Sequence, residues 1–302
     1  MTTFVRVVET GSFSAVAREI GTTQPTISKQ IAALEEYLDI QLLIRSTRSL
    51  RLTDEGERFY EHCRQVIEAV TVAEASVGKR VKPSGLLRVN CPVSFGHFVI
   101  MPLMKSFLMR YPEIKIDLTM SDQFIDLVET GVDVAIRIGD VRDTALISKR
   151  IGITRRITVA TNDYFQQAGE PQTPSDLIQH NCIVYTQLLT GNEWYFQRQT
   201  ETIKVRVNGN FQANNSTAIR EAVLAGIGIA VSPVWLFGDV INTDKLKSIL
   251  PDYEPTPLPI YAMYRRTRFT PIKVQCFIDF LNTEFQINPW VSDYGHGETV
   301  VG

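Results

Sequence analysis

The sequence is poor in the residues that build metal centres and disulfide frameworks. Its four cysteines lie far apart and form no C-x-x-C pair, and its four histidines show no H-x-x-x-H spacing. Scattered cysteines argue against a zinc ribbon or a thioredoxin-type redox motif, and four of them in 302 residues are too few for a disulfide scaffold. We therefore expect free thiols, no metal site and no cofactor.

The sequence also lacks long apolar runs and an excess of basic residues. No window holds the roughly 18 uninterrupted apolar residues of a membrane helix, and the first residues do not resemble a signal peptide. With 31 Lys and Arg against 33 Asp and Glu, the formal net charge is −2, which excludes a polybasic nucleic-acid binder. Any contact with DNA must then come from a local arrangement of side chains. We expect a cytoplasmic protein with two or three domains.

Residues 1–53 have the pattern of three short helices and a two-stranded wing. Gly11 and Gly21 separate three segments of helical periodicity, because glycine adopts the left-handed conformation that ends many helices. The third segment carries Pro25 in its first turn, where a missing N–H costs no hydrogen bond. Hydroxyl residues could cap the second and third helices: Ser12 or Ser14, and Thr22 or Thr23. Helix, short turn and helix is the geometry of a helix-turn-helix, and the alternating residues 41–53 predict a β-wing turning at 47–49.

Short polar side chains cluster at the start of the third predicted helix. Hydroxyls and a glutamine at a helix N-terminus can reach base edges and phosphates in the major groove of DNA. The alternative is an ordinary solvated helix start. The candidate DNA-binding residues are Thr23, Gln24, Pro25, Thr26, Ser28 and Lys29.

The predicted wing carries Arg45, Arg48 and Arg51 with no acidic residue among them. Arginines on a wing can bind phosphates or enter a narrow minor groove. A solvated cationic loop is the alternative. We include these three arginines among the candidate DNA-binding residues.

A long helix is predicted after the wing, over residues 54–83. Thr53 could cap it, and Asp54 and Glu55 would lie at its positive end. Apolar residues recur within it at spacings of 4, 3, 4, 3 and 4, which is typical of a coiled-coil seam for dimerisation. Packing of the helix on its own chain is the alternative. The members of this seam are Phe59, Cys63, Val66, Val70, Ala73 and Val77.

Alternating strands and helices begin at residue 86 and predict an α/β domain with helices on both faces of a parallel or mixed sheet. The pattern blurs between about 145 and 215. Residues 286–302 lack periodicity, so we expect a poorly ordered tail. The predicted strands are 86–90, 114–120, 132–138, 157–161, 203–207, 227–231 and 260–264, and the predicted helices are 101–110, 124–129, 216–225 and 272–285.

Several blocks, in this order, resemble the LysR-type transcriptional regulators over about residues 1–285. The N-terminal blocks are FVRVVETGSFSAVA at residues 4–17, QPTISKQI at 24–31, LE at 34–35, LL at 42–43, Arg45, and LTDEG at 52–56. The C-terminal blocks are GVDVAIRIG at residues 131–139, AGIGIA at 225–230 and FIDFL at 277–281.

The resemblance implies a fold and a domain organisation. It implies a winged helix-turn-helix over residues 1–53, a dimerisation linker helix over 54–83, an effector-binding domain over 84–285 and a tail over 286–302. The effector-binding domain would consist of two periplasmic-binding-protein-like α/β subdomains, about 86–160 with 264–285, and about 161–263.

The resemblance further implies the partners and the effector site. The protein would be a homodimer or homotetramer that binds a pseudo-palindromic operator in double-stranded DNA and acts on RNA polymerase. A small-molecule effector, with a carboxylate or another polar anion as the favoured class, would bind between the subdomains. Arg137 could instead pair with Asp133 or Asp140. The implied effector-binding residues are Ser94, Phe95, Gly96, Ser121, Asp122, Arg137, Gly139, Asn214, Asn215 and Ser216.

Two other classes of function compete with this interpretation. An enzyme with a DNA-binding appendage would need a nucleophile, a base and an orienting residue in one cleft, and the sequence offers no such set. Residues 226–228 lack the third glycine of a dinucleotide fingerprint and lie between a helix and a strand, which is the wrong order. The third class is a small-molecule-binding protein whose helix-turn-helix mediates only assembly. Activation and repression are equally open.

Overall fold

A computed structural model of the protein describes residues 1–45, 50–76, 82–127, 129–139, 146–241, 243, 245–267 and 270–291. The chain divides into two compact units, Met1–Leu86 with Thr267–Ile272, and Leu87–Arg266 with the residues from Lys273 onward. Within the described residues, no helix has both the length and the apolar character needed to cross a membrane.

The first unit is a three-helix domain with a wing and a long fourth helix. Its core contains Phe4, Val16, Ile27 and Ile31, all buried, so the amphipathic faces predicted from periodicity do meet. Strand β1 pairs antiparallel with β2, as a wing requires. The elements are α1 Thr2–Thr10, α2 Phe13–Glu19, α3 Gln24–Leu38, β1 Leu43–Arg45, β2 Leu50–Leu52 and α4 Asp54–Ser76.

Local hydrogen bonds fix the ends of these helices. Ser12 Oγ accepts from the Ala15 amide and caps α2, and Thr53 Oγ1 accepts from the Gly56 amide and caps α4. Gly56 is required by packing, because a Cβ at this position would overlap the backbone of Leu42. The start of α4 therefore lies directly against the residue that precedes the wing.

The second unit contains a five-stranded mixed sheet and a smaller three-stranded sheet. The strand order of the larger sheet is β4-β3-β5-β15-β6, with β3 parallel to β5 and β15 antiparallel to both of its neighbours. The smaller sheet is antiparallel, in the order β12-β7-β13. Strands β9, β10 and β14 form a third, antiparallel sheet, and β8 pairs parallel with β11.

The strands of the second unit are β3 Gly85–Cys91, β4 Ile114–Met120, β5 Val134–Ile138, β6 Leu146–Thr154, β7 Arg156–Thr161, β8 Val184–Tyr185, β9 Glu193–Arg198, β10 Glu201–Arg206, β11 Gln212–Ala213, β12 Ala230–Pro233, β13 Leu246–Ile249, β14 Glu254–Pro255 and β15 Leu258–Arg265. Its α-helices are α5 Val93–Phe95, α6 Met101–Arg110, α7 Asn162–Ala168, α8 Ser216–Leu224 and α9 Ile272–Ile287. A π-helical segment, Gly96–Ile100, joins α5 to α6.

The two sheets define two subdomains, which the chain joins twice. It crosses between them at Arg155, between β6 and β7, and again at residues 256–257, between β14 and β15. These positions precede the sequence-predicted boundaries near 160 and 263 by a few residues. A single residue separates the strands at the first crossing, so no turn signal marks it in the sequence, whereas Pro257 lies in the second crossing and is such a signal. We call the subdomain of the larger sheet subdomain I and the other subdomain II.

Two sequence predictions in this unit are wrong. Residues 124–127 and 129 form no helix. Asp126 starts a single turn instead, in which its side chain accepts from the Glu129 amide and its carbonyl oxygen accepts from the Thr130 amide, and Gly131, with φ +65°, ends that turn. The tail is not poorly ordered from residue 286, since α9 continues to Ile287 and residues 288–291 form a turn in which Val291 is fully buried. Residues 292–302 lie outside the described residues.

Candidate DNA-binding surface and effector site

The N-terminal turn of α3 presents the predicted polar side chains to solvent. Ile27 and Ile31 are buried on the opposite face and fix the orientation of the helix. Thr23 Oγ1 and Thr26 Oγ1 share a hydrogen bond of 2.9 Å, so the hydroxyl of Thr23 pairs with that side chain and caps no backbone amide. Thr23, Gln24, Pro25, Thr26 and Lys29 are exposed, and Ser28 is half-buried.

The wing is described only in part. Arg51 in β2 is exposed, and Arg45 is the last residue of β1. The Arg45 side chain and all of Arg48 lie outside the described residues. Their assignment to DNA contact stays a prediction.

The predicted seam on α4 divides into two parts. Cys63 is buried and Phe59 partly buried in the core of their own domain, where the Phe59 ring lies 5.6 Å from that of Phe4. These two residues pack on their own chain, and their part in dimerisation stays a prediction. Val66 and Val70 are 47% and 55% exposed, and Ala73 is exposed as well. Val77 lies outside the described residues.

Four polar residues join the subdomains by direct hydrogen bonds. Ser94, in α5 of subdomain I, shares a bond of 2.8 Å with Thr217 in α8 of subdomain II. Asn215, the N-cap of α8, donates from Nδ2 to Asp122 Oδ2 at 2.8 Å. Asp122 Oδ1 accepts from the Val93 amide at 2.9 Å, so one carboxylate binds the start of α5 and the start of α8. We call this region the subdomain interface.

A buried arginine lies next to the subdomain interface. Arg137 in β5 is 7% exposed, and it donates to the carbonyl oxygens of Ile136 at 2.8 Å and Gln123 at 3.4 Å. Its guanidinium lies 5.9 Å from the ring centroid of Phe124, which is 74% exposed. No carboxylate among the described residues forms an ion pair with it. Burial lowers the pKa of the Arg137 guanidinium, an effect that Cys91 and Asp122 oppose electrostatically.

Of the two aspartates considered as alternative partners of Arg137, the structure describes only Asp133. Asp133 lies 3.6 Å from Lys273 Nζ and accepts from the Arg88 amide, so it belongs to a different cluster. Asp140 lies outside the described residues. Among the described residues, the Arg137 guanidinium donates to neutral acceptors, which compensate the burial of a charge poorly, whereas an anion would compensate it well.

Two predicted effector-binding residues have packing roles in this structure. Phe95 is completely buried, with its ring edge-on to Trp235 at 5.4 Å and to Phe285 at 6.1 Å. Gly96 lies so close to Cys91 that a Cβ would be 2.7 Å from the cysteine Sγ. Aromatic side chains therefore cover Phe95 in this structure, and its contact with an effector stays a prediction.

The other predicted residues surround the subdomain interface. Ser121 Oγ accepts from the Gln123 amide and shapes the turn that carries Asp122. Gly139 has φ +91°, which favours glycine, and a Cβ there would contact Leu188 of subdomain II at 3.8 Å. Asn214 is exposed, and Ser216 lies beside the Tyr185 hydroxyl.

Sequence reasoning missed four residues of this region. Thr217, Tyr185, Gln123 and Phe124 all contact or adjoin the predicted residues. Burial raises the pKa of the Tyr185 hydroxyl, and Asp122 adds to the shift. The position of Thr217 in the first turn of α8, directly after Ser216, was a signal that could have been used. Tyr185 gave none, because its strand has only two residues.

Comparison with known proteins shows the family to which this chain belongs. Residues 1–57 match the "Bacterial regulatory helix-turn-helix protein, lysR family", and residues 80–286 match the "LysR substrate binding domain". The chain belongs to the LysR family of transcriptional regulators. It is 34% identical over 283 residues to the probable HTH-type transcriptional regulator LtrA of Klebsiella pneumoniae, with 92% of each chain covered.

Solved structures of LysR-type regulators have the same fold. The full-length virulence activator AphB of Vibrio cholerae is 32% identical with a TM-score of 0.57, and the match covers 93% of this chain and 96% of that one. CrgA of Neisseria meningitidis is 28% identical with a TM-score of 0.61, covering 94% and 97%. This LysR-type regulator therefore combines a DNA-binding helix-turn-helix with an effector-binding domain, and its named relatives are transcriptional regulators and not enzymes.

Proposed function

We propose that the protein is a cytoplasmic, homo-oligomeric regulator that binds a pseudo-palindromic operator through α3 and the wing. A small polar anion bound at the subdomain interface would control it. The observation that carries the effector proposal is Arg137, a buried guanidinium whose hydrogen-bond acceptors among the described residues are two backbone carbonyls.

The exposed start of α3 supports the DNA part of this proposal. Gln24 and Lys29 point to solvent from a helix whose opposite face is fixed by Ile27 and Ile31. A glutamine in this position can bind the N6 and N7 atoms of adenine, and a lysine can bind phosphate or guanine. Arg51 adds an exposed cation on the wing.

The charge of the whole chain supports a requirement for two DNA-binding domains. With a net charge of −2, the protein gains little from non-specific attraction to DNA, so affinity must come from local contacts. Two winged domains reading two half-sites supply more contacts than one. Because α4 exposes Val66 and Val70, it is the surface we assign to pairing of two copies.

The chemistry of the subdomain interface supports an anionic effector. Arg137 supplies the positive charge, and the exposed Phe124 ring next to it offers a face for an apolar or planar part of the ligand. Ser94, Thr217 and Asn215 provide hydroxyl and amide groups from both subdomains. A monocarboxylate is the ligand class that fits a single guanidinium best.

Selection of bound sequences from a random double-stranded DNA pool, with the full-length protein, tests the DNA part directly. We expect an enriched pseudo-palindrome.

Gln24→Ala should relax the preference at one base of each half-site, at a cost of about 1–3 kcal/mol. Lys29→Ala should reduce the salt dependence of binding by about one phosphate contact. Gln212→Ala and Lys115→Ala, both exposed positions in the second unit, are the matched controls. Enrichment of no sequence, or identical behaviour of all four variants, would contradict the assigned interface.

A further inference from the structure

The turn at residues 288–291, after α9, makes a further contact between the two subdomains. Asn288 Oδ1 accepts from the Trp290 amide at 2.9 Å, and Asn288 O accepts from the Val291 amide at 3.2 Å. Pro289 occupies the second position of this turn, where its fixed φ is favourable. We call residues 288–291 the strap.

One end of the strap is fixed to subdomain I. Val291 is fully buried, and its carbonyl oxygen accepts from the Ile153 amide in β6 at 3.3 Å. A Cβ at the neighbouring Gly152 would lie only 2.7 Å from that oxygen, so the strand and the strap are in close contact. Buried apolar surface and a backbone hydrogen bond hold this end in place.

Trp290 reaches from the strap to subdomain II. Its indole ring lies against Gly238, in the connection between β12 and β13, and a Cβ on Gly238 would be 2.6 and 2.7 Å from two ring atoms. The same connection contains Trp235, whose ring packs on Phe95 of subdomain I. Movement of subdomain II relative to subdomain I therefore has to break or slide the contact between Trp290 and Gly238.

The contact between Trp290 and Gly238 lies at the protein surface beside a cavity, so the ring can move away from Gly238. Trp290 is 37% exposed, so it is not a core residue, in contrast to Trp235 at 3%. Beside it is a shallow cavity of about 300 Å³ lined by Leu103, Glu284, Ile287 and strap residues, which gives the ring space to move. A contact that is made in one arrangement of the subdomains and not in another biases the equilibrium between them.

We propose that the strap is a releasable restraint on movement between the subdomains, with Trp290 on Gly238 as its closed state. The proposal requires no particular effector and does not depend on the anion site described above. It predicts that a change at Trp290 and a change at Gly238 both increase movement between the subdomains, because each loosens the same contact. Trp290→Ala removes the ring, and Gly238→Ala keeps the strap intact but displaces the ring with a methyl group.

Amide hydrogen exchange of the full-length protein, without ligand, tests this proposal. We expect each single variant to accelerate exchange by tenfold or more at Val240 and Ile241, whose amides bond to Phe237 O, and to leave exchange at Ile153, which bonds to the fixed end of the strap, unchanged. The double variant should exchange no faster than the faster single variant, because both changes open one contact. Amides of β4 should be unaffected, and Met109→Ala, a change at a 74% exposed position of α6 away from the cavity, should match the wild type.

Three results would overturn the proposal. Unchanged exchange at Val240 and Ile241 in both single variants would mean that the contact restrains nothing. A uniform acceleration that includes β4 would mean that Trp290 stabilises the whole unit and does not restrain one particular movement. Additive effects in the double variant would mean that Trp290 and Gly238 act separately. If Trp290→Ala lowers folding yield, Gly238→Ala alone still distinguishes the first two results from the expected one, because it leaves every core side chain in place.

Discussion

Asn215 donates its side-chain amide to Asp122 at 2.8 Å, and the same side chain accepts from the Ala218 amide at 3.2 Å to cap α8. A single residue thus starts a helix of subdomain II and binds a carboxylate of subdomain I. The carboxylate is not free to turn away, because its other oxygen accepts from the Val93 amide. This contact couples the position of α8 to the position of β4.

Substitutions of Asn215 should separate the helix cap from the contact between subdomains. Asn215→Ser keeps a capping oxygen but is too short to reach Asp122, so it should lose about 1 kcal/mol of unfolding free energy. Asn215→Ala loses the cap as well and should cost about 2 kcal/mol in total. Thermal unfolding of the two variants checks the order wild type, Ser, Ala. A serine variant as stable as the wild type would mean that the bond to Asp122 contributes nothing.

Arg137 should be a functional residue that does not stabilise the unliganded protein. Burial lowers its pKa, and no described carboxylate pairs with it, so Arg137→Met should leave the melting temperature unchanged or raise it. The same variant should lose the stabilisation that a monocarboxylate gives the wild type. At a concentration of 100 times Kd, that stabilisation is about 2.7 kcal/mol. A thermal-shift screen of small carboxylates against both proteins measures the difference.

The matched control for this screen is Arg198→Met. Arg198 is exposed and stacks on Tyr253 at 5.1 Å in subdomain II, so its removal changes the charge by the same amount without touching the subdomain interface. It should respond to carboxylates as the wild type does. Equal shifts in the wild type and Arg137→Met would remove Arg137 from the proposed effector site.

The buried thiols should make stability fall at alkaline pH. Burial raises the pKa of Cys91 and of Cys182 from 9.0 to about 12. Because the folded pKa is the higher one, the stabilising effect is complete below about pH 9 and is lost as pH rises toward 12. Each thiol should then cost about 1.4 kcal/mol per pH unit in that window. Urea unfolding at several pH values should show a shallower decline for Cys91→Ala than for the wild type.

The reactivity of these thiols gives an independent measurement. At pH 8 a thiol of pKa about 12 is almost entirely protonated, so Cys91 and Cys182 should react very slowly with an alkylating reagent until denaturant is added. Rapid alkylation of either residue in the native protein would contradict the burial described here.

The features that the sequence predicted best are those that depend on residues close together in the chain. Strand β4 begins and ends at the predicted residues, and Ser12 and Thr53 cap the helices assigned to them, because periodicity and caps are local signals. Features that depend on distant residues could not be predicted from local patterns. Tyr185 enters the subdomain interface from a two-residue strand, and Phe95, predicted to contact an effector, is covered by Trp235 from far along the chain.

The strap illustrates a second kind of failure. Asn288 and Pro289 together are a turn signal, yet the absence of periodicity after residue 285 suggested disorder. The order of these residues comes from Val291, a single apolar side chain that finds a buried position against β6. One buried residue leaves no repeating pattern, so periodicity could not reveal it.

A charge on the exposed part of α4 should convert the regulator to a monomer with weak affinity for DNA. Val66 and Val70 lie one turn apart and are half-exposed in the single chain, so Val70→Glu should leave the winged domain folded and place an unpaired carboxylate in the pairing surface. Gln65→Glu adds the same charge at another exposed position of α4 and should remain oligomeric. Sedimentation at several protein concentrations, combined with DNA titration, measures both effects. If Val70→Glu sediments as the wild type does, the pairing of two copies is not mediated by the exposed valines of α4, and residues outside this helix must hold the oligomer together.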